Sequence, residues 1–128
     1  MNTIKDWQSG WKMEKSILSK LEDRESLEKA REELKSIILN DGISLGAGLG
    51  SNNESCNWVF DTKAFLLNPR GLSLTTQLFM EKIKKYSPDA VGGLTLASHL
   101  IASAMVYSSH SIGKKLEGFL VRREQKKY

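Results

Sequence analysis

The chain has 128 residues, 40% of them hydrophobic and 27% charged, with a net charge of +4. That is the size and mixture of one globular domain able to bury its own core. It argues against a bilayer-spanning chain, since no apolar run is long enough, and against a disulfide-stapled one, since Cys56 stands alone.

Charge is unevenly spread. Acidic residues crowd between Glu14 and Glu33, whereas Lys114–Lys127 is rich in Lys and Arg, with Glu117 and Glu124 as its acids. A local excess of that kind suits a phosphate-bearing ligand, and a solvated basic end is the plainer alternative. The N-terminus lacks the apolar core of a signal peptide, and the lone thiol points to a reducing, cytoplasmic setting. His99 and His110 have no carboxylate or thiol at ligand spacing, so no metal site is expected from the chain's own residues.

Residues 4–21, "IKDWQSGWKMEKSILSKL", set Trp7, Trp11, Leu18 and Leu21 at helical spacing and predict an amphipathic helix with Gly10 as its weak point. Residues 22–42 predict a second helix. Leu27, Ala30, Leu34, Ile37 and Ile38 form its stripe, Glu25 and Lys29 can pair across one turn, and Asn40-Asp41-Gly42 stops it. The Gly-, Ser- and Asn-rich stretch 42–57 has no period and predicts a loop or a weak hairpin. It is no P-loop, because no Gly-Lys-Ser/Thr follows.

"WVFDTKAFLL", 58–67, is apolar and β-leaning, with Asn68-Pro69-Arg70-Gly71 as a closing turn. Residues 72–86 predict a helix with Leu74, Leu78, Ile83 and Tyr86 on one face and lysines in the last turn, where they suit the helix dipole. After Ser87-Pro88, "DAVGGLTL" predicts a short buried strand, "ASHLIASAMVYSS" a small-residue helix and "LEGFLVRR" another strand. Strand, glycine turn, helix, strand is the pattern of a parallel α/β sheet.

Two stretches can carry chemistry. In "AVGGLTLASHLIA" a strand meets a helix through Gly92 and Gly93, which lets backbone N–H groups and a helix N-terminus face an anion. Thr95 and Ser98 can add hydroxyls, with Ser98 a plausible N-cap. The plainer alternative is that both glycines merely permit close strand–helix packing. The second stretch is "GFLVRREQKKY". Along an ideal strand Arg122 and Arg123 face opposite sides, so one can bind a phosphate while the other pairs elsewhere, or both can protect an edge.

These stretches carry a resemblance. "DAVGGLTLASHLIASA" is similar to the pyrophosphate-binding strand–loop–helix of type I phosphoribosyltransferases, in particular the orotate phosphoribosyltransferase branch. "FLVRREQKKY" resembles that branch's Val-Arg-Lys-x-x-Lys-x-His/Tyr segment, "WVFDTKAFLLNPRGLSL" its aromatic–Asp–x–Arg segment, and "LEKAREELKSIILNDGISLG" its opening helix and turn. The resemblance implies an α/β fold: a partial, Rossmann-like parallel sheet with flanking helices. Residues 1–26 would be a helical extension, and 27–128 the N-terminal part of the domain, ending at the flexible catalytic loop.

By position, Gly92, Gly93, Leu94 and Thr95 are then expected to hold pyrophosphate, with Arg122, Arg123 and Lys126 as cations. Phe60 and Lys63 belong to the segment that encloses the base and the ribose phosphate, and Tyr128 stands where the family often has His. The implied reaction transfers phosphoribosyl from phosphoribosyl pyrophosphate to a pyrimidine base, with Mg²⁺ bound beside the substrate. The implied partners are a second copy or a complementing C-terminal segment, with no membrane and no nucleic acid. The chain departs from the pattern at Ala97, where Gly is usual, at His99-Leu100, at Lys63, where Arg is usual, and at Glu54 or Ser55, where a base is expected. Neither the catalytic loop nor an Asp-Asp-x-x-Thr segment occurs in the sequence. The alternative is therefore a catalytically inactive module of the same fold that binds a nucleotide or a partner, with Trp7 and Trp11 as candidate contacts.

Overall fold

A computed structural model of the chain describes residues 24–49 and 54–122. The amphipathic stretch 4–21 and the basic residues Arg123, Lys126 and Tyr128 lie outside these.

Helix α1, Arg24–Ile37, buries Ala30 and half-buries Leu27, Leu34 and Ile37, which is the predicted stripe. Lys29 and Glu25 pair at 2.6 Å on its exposed face. The helix widens into a π-turn, Ile38–Gly42, and stops at the predicted glycine. A Cβ on Gly42 would stand 3.1 Å from the Phe65 ring, so the chain leaves the helix pressed against the core.

Strands β1, Ile43–Leu49, and β2, Ser55–Phe60, form an antiparallel hairpin where the sequence left a loop and a hairpin both open. The missing period has a physical source. The register breaks between Leu45 and Gly48, and Gly46 at φ +117° supplies the backbone of that bulge.

The β-leaning stretch 58–67 is half strand and half helix. Asp61 ends β2 and caps α2, Thr62–Leu66, by accepting the Lys63 N–H at 3.0 Å. Its own N–H donates to the Gly42 carbonyl at 2.8 Å and ties the hairpin to the π-turn. Asn68-Pro69 likewise opens a helix rather than closing a strand. Asn68 accepts the Arg70 N–H at 2.8 Å, and Pro69 takes the first position of α3, Pro69–Ile83, where its missing N–H is harmless. Gly71 packs where a Cβ would meet the Phe65 carbonyl oxygen at 2.2 Å. Around that approach lie Phe65, Leu66 and Leu74, joined by Ala30, Ala102, Met105 and Leu116. Buried Thr75 and Thr76 turn their hydroxyls back onto the Gly71 and Leu72 carbonyls, each at 2.7 Å.

The βαβ expectation holds. β3, Ala90–Gly93, pairs in parallel with β4, Glu117–Leu120, across α4, Leu96–Ser111. β4 is shorter than predicted, and Arg122 follows it. α4 covers one face of this sheet, where Gly118 sits against Val106. The opposite face, with Gly92 and Phe119 paired in register, is open among the described residues, so β3 is one-sided rather than buried.

Candidate functional site

The carboxyl ends of β3 and β4 point the same way, as parallel pairing requires, and bring the glycine turn and the basic end together. One atom joins them. The Gly93 carbonyl accepts the Val121 N–H at 3.1 Å and faces His99 Nε2 at 2.9 Å. Arg122, the next residue, therefore leaves the sheet beside the turn, with its side chain exposed.

Both glycines have steric reasons to be there. A Cβ on Gly92 would lie 2.3 Å from the Phe119 carbonyl oxygen, and one on Gly93 would lie 2.2 Å from Ser98 Oγ. Close packing and a ligand-facing backbone are thus compatible readings of the same pair.

The N-cap of α4 is Thr95, not Ser98. Thr95 Oγ1 accepts the Ser98 N–H at 3.2 Å while Ser98 Oγ accepts the Thr95 N–H at 2.9 Å, a reciprocal capping box. Ser98 sits three residues into the box because the chain is still extended at Thr95, with φ −113° and ψ 160°. Both hydroxyls are engaged inside the first turn. The N–H groups of Leu96 and Ala97, which have no carbonyl one turn back, are the donors left at the helix start. Leu94 and Leu96 are 65% and 60% exposed, so the turn is open to solvent. Donors of this kind and the helix dipole are features that suit an anion.

Phe60 and Lys63 sit elsewhere, at the foot of the hairpin. Phe60 stacks on Phe65, with ring centroids 5.9 Å apart, and is half-exposed. Lys63 Nζ binds Asp61 Oδ1 at 2.7 Å. That bond, reinforced by the Lys63 backbone N–H, holds the Asp61 carboxyl below the usual carboxylate range. The ammonium is thus engaged locally, and no hydrogen bond or ring contact among the described residues links Phe60 or Lys63 to the glycine turn. Gly92, Gly93, Leu94, Thr95 and Arg122 are brought together. Arg123 and Lys126 lie outside the described residues.

His99 is a functional neighbour that sequence reasoning passed over. It registered as a histidine without metal-ligand spacing and as a departure from a pattern, yet its ring reaches back six residues to the Gly93 carbonyl. No spacing in the sequence announces such a contact.

No protein-family model matches the chain. Curated relatives do. It is 32% identical over 99 residues to the orotate phosphoribosyltransferase of Corynebacterium glutamicum, covering 77% of this chain and 52% of the relative. It is 33% identical over 76 residues to that of Aquifex aeolicus, covering 59% and 42%. The Mycobacterium tuberculosis H37Rv orotate phosphoribosyltransferase solved with Fe(III) dicitrate overlays with a TM-score of 0.63 at 25% identity, over 77% of this chain and 55% of that one. The same enzyme solved with 5-phospho-α-D-ribosyl 1-diphosphate overlays with a TM-score of 0.58 at 25% identity, over 77% and 57%. The chain spans about half the length of the curated relatives it matches.

Proposed function

This chain is an orotate phosphoribosyltransferase-like member of the type I phosphoribosyltransferases, and from that membership we propose that its glycine turn binds the pyrophosphate of phosphoribosyl pyrophosphate. Gly92, Gly93, Leu94 and Thr95 form the backbone cradle, and the N-terminus of α4 adds its dipole. Arg122 supplies the nearest cation, with Arg123 and Lys126 next along the chain. The observation that carries this reading is the Gly93 carbonyl, which binds the Val121 N–H and so fixes where Arg122 departs.

In the full reaction a pyrimidine base nitrogen attacks the ribose C1 and pyrophosphate leaves. The cradle's part is to hold the departing group and stabilise the charge that develops on it. Among the described residues no three His, Cys, Asp or Glu are grouped to hold a metal. Mg²⁺ would enter with the ligand in this reading and would supply counter-charge to its phosphates. Turnover also needs the catalytic loop and the Asp-Asp-x-x-Thr segment of the resemblance, from a continuation of the chain or from a complementing polypeptide.

The test is calorimetric titration of the chain with inorganic pyrophosphate and with phosphoribosyl pyrophosphate, each with Mg²⁺. Arg122→Ala should weaken both about tenfold, the loss of one charge-assisted contact. Absence of binding to either ligand overturns the reading. A second reading, an inactive module of the same fold, is favoured by the engagement of Lys63 with Asp61. It predicts the same binding but no nucleotide from orotate once the missing segment is supplied.

A further inference from the structure

Away from the glycine turn, an open groove of about 540 Å³ runs between the first half of α1 and the last turns of α3. Leu27, Leu78 and Phe79 make it apolar, and Phe79 is 46% exposed. Four cations also line it. Arg31 and Lys84 are already paired, with Glu28 and Glu81, each at 2.5 Å. Lys82 and Lys85 have no carboxylate partner among the described residues, and Lys85 rests over the Tyr86 ring at 4.6 Å. The groove thus asks for an apolar occupant carrying one or two negative charges.

We propose that the occupant is the chain's own N-terminal segment, residues 4–21. Its stripe of Trp7, Trp11, Leu18 and Leu21 would lie on Leu27, Leu78 and Phe79, with Glu14 facing Lys82 and Lys85. Three observations support it. At 100° per residue Glu14 falls inside that stripe, between Leu21 and Trp7, and is the stripe's only charged residue. The segment joins α1 at Arg24, one turn before Leu27, so its attachment is at the groove's mouth. As a helix it is about 27 Å long, close to the roughly 22 Å of α3 that it would flank. The tether also sets an effective concentration in the millimolar range, which favours this occupant over one arriving from solution.

The experiment uses the full chain with Cys56→Ser, Glu14→Cys and Lys82→Cys, treated with a short bis-maleimide and read by intact mass and denaturing gel. The expected result is a cross-link within one chain. A cross-link only between chains means that a second copy fills the groove, and it overturns the proposal, as does no cross-link. Charge reversal gives an independent reading at fixed protein concentration. Glu14→Lys should lower Tm, the combined Lys82→Glu and Lys85→Glu change should restore it, and Asp6→Lys, off the stripe, should not mimic the loss. Failure of that restoration also overturns the proposal. In a Trp58→Phe background, Trp7 and Trp11 should emit at a buried wavelength and shift to the red with Phe79→Asp. Unchanged, solvent-like emission counts against it.

Discussion

Gly92 and Gly93 are neighbours held from different directions, and their substitutions should separate accordingly. A methyl on Gly92 meets a backbone oxygen of β4 at 2.3 Å, which moves only if the strands part. A methyl on Gly93 meets Ser98 Oγ at 2.2 Å and Ser98 Cβ at 2.3 Å; the hydroxyl can turn away but the Cβ cannot, so the start of α4 has to shift and the capping box is lost with it. Gly92→Ala should therefore cost about 1–3 kcal/mol as an overpacked site. Gly93→Ala should add the loss of the helix cap, about 1 kcal/mol, to a cost of that kind. Urea denaturation at fixed protein concentration ranks them, and a smaller loss for Gly93→Ala would mean that the start of α4 gives way without cost to the box. Glu33 and Arg70 offer a second test. Arg70 grips the Glu33 carboxylate through Nε at 2.6 Å and a terminal nitrogen at 2.5 Å, and holds its pKa below the ordinary carboxylate value. The unfolded chain then takes up the proton first as pH falls. The stabilisation is complete above the ordinary carboxylate pKa and disappears as pH drops through the folded value. Asp61 acts in the same sense through Lys63. Both pairs are exposed, so the effect is small and fades with salt. Glu33→Gln should flatten the acid limb of a Tm-against-pH profile, and an unchanged limb would remove the pair from the account.

The element that orders the candidate site is α4, and its start is where sequence reading and structure part by three residues. Ser98 reads as a cap because serine precedes an apolar run. Thr95 is the true cap because the extended backbone ends there, and Ser98 becomes its reciprocal partner. Thr95→Ala should remove about 0.5–2 kcal/mol, whereas Thr95→Ser should keep the box. Equal losses in both variants, measured by thermal melting, would show that the box contributes nothing. The same kind of slip explains the other corrections. Asn68 was visible as a turn former and Asp61 read as part of a β-leaning stretch, yet turn formers and helix caps are the same residues using the same side-chain oxygen. Only the following tertiary contact, Gly71 against the Phe65 carbonyl, decides that helices ensue. The βαβ unit was legible because a glycine pair between a β-leaning and a helical run has few other solutions. The hairpin was not, since its bulge at Gly46 destroys the two-residue period that would have revealed it. In the site, the turn and Arg122 were legible as motifs. The His99 contact was not, because a ring returning to a carbonyl six residues earlier leaves no spacing signature.

At the scale of the molecule, large apolar side chains stand exposed in groups among the described residues. On the sheet they gather at its open side and its end. Phe119 is 51% exposed and Leu120 62%, beside a β4 edge with no further strand among the described residues. A second group lies on the hairpin, where Leu45 faces Trp58 in register and is 86% exposed. Single exposed leucines are ordinary, but a parallel two-stranded sheet with one uncovered face is not, since parallel sheets are covered on both. An unpaired edge flanked by Phe and Leu is also a template for further strand addition. The chain spans about half the length of the curated relatives it matches, and a face and edge of this kind suit added strands or a second copy. We therefore expect the 128-residue chain by itself to self-associate or to bind a hydrophobic dye, and to melt over a broader range than it does with further strands supplied. Adding a polypeptide that carries the remaining strands should sharpen the transition and suppress dye binding. Light scattering coupled to size exclusion, together with calorimetry, decides the matter. A monodisperse monomer with one sharp calorimetric transition would overturn that expectation.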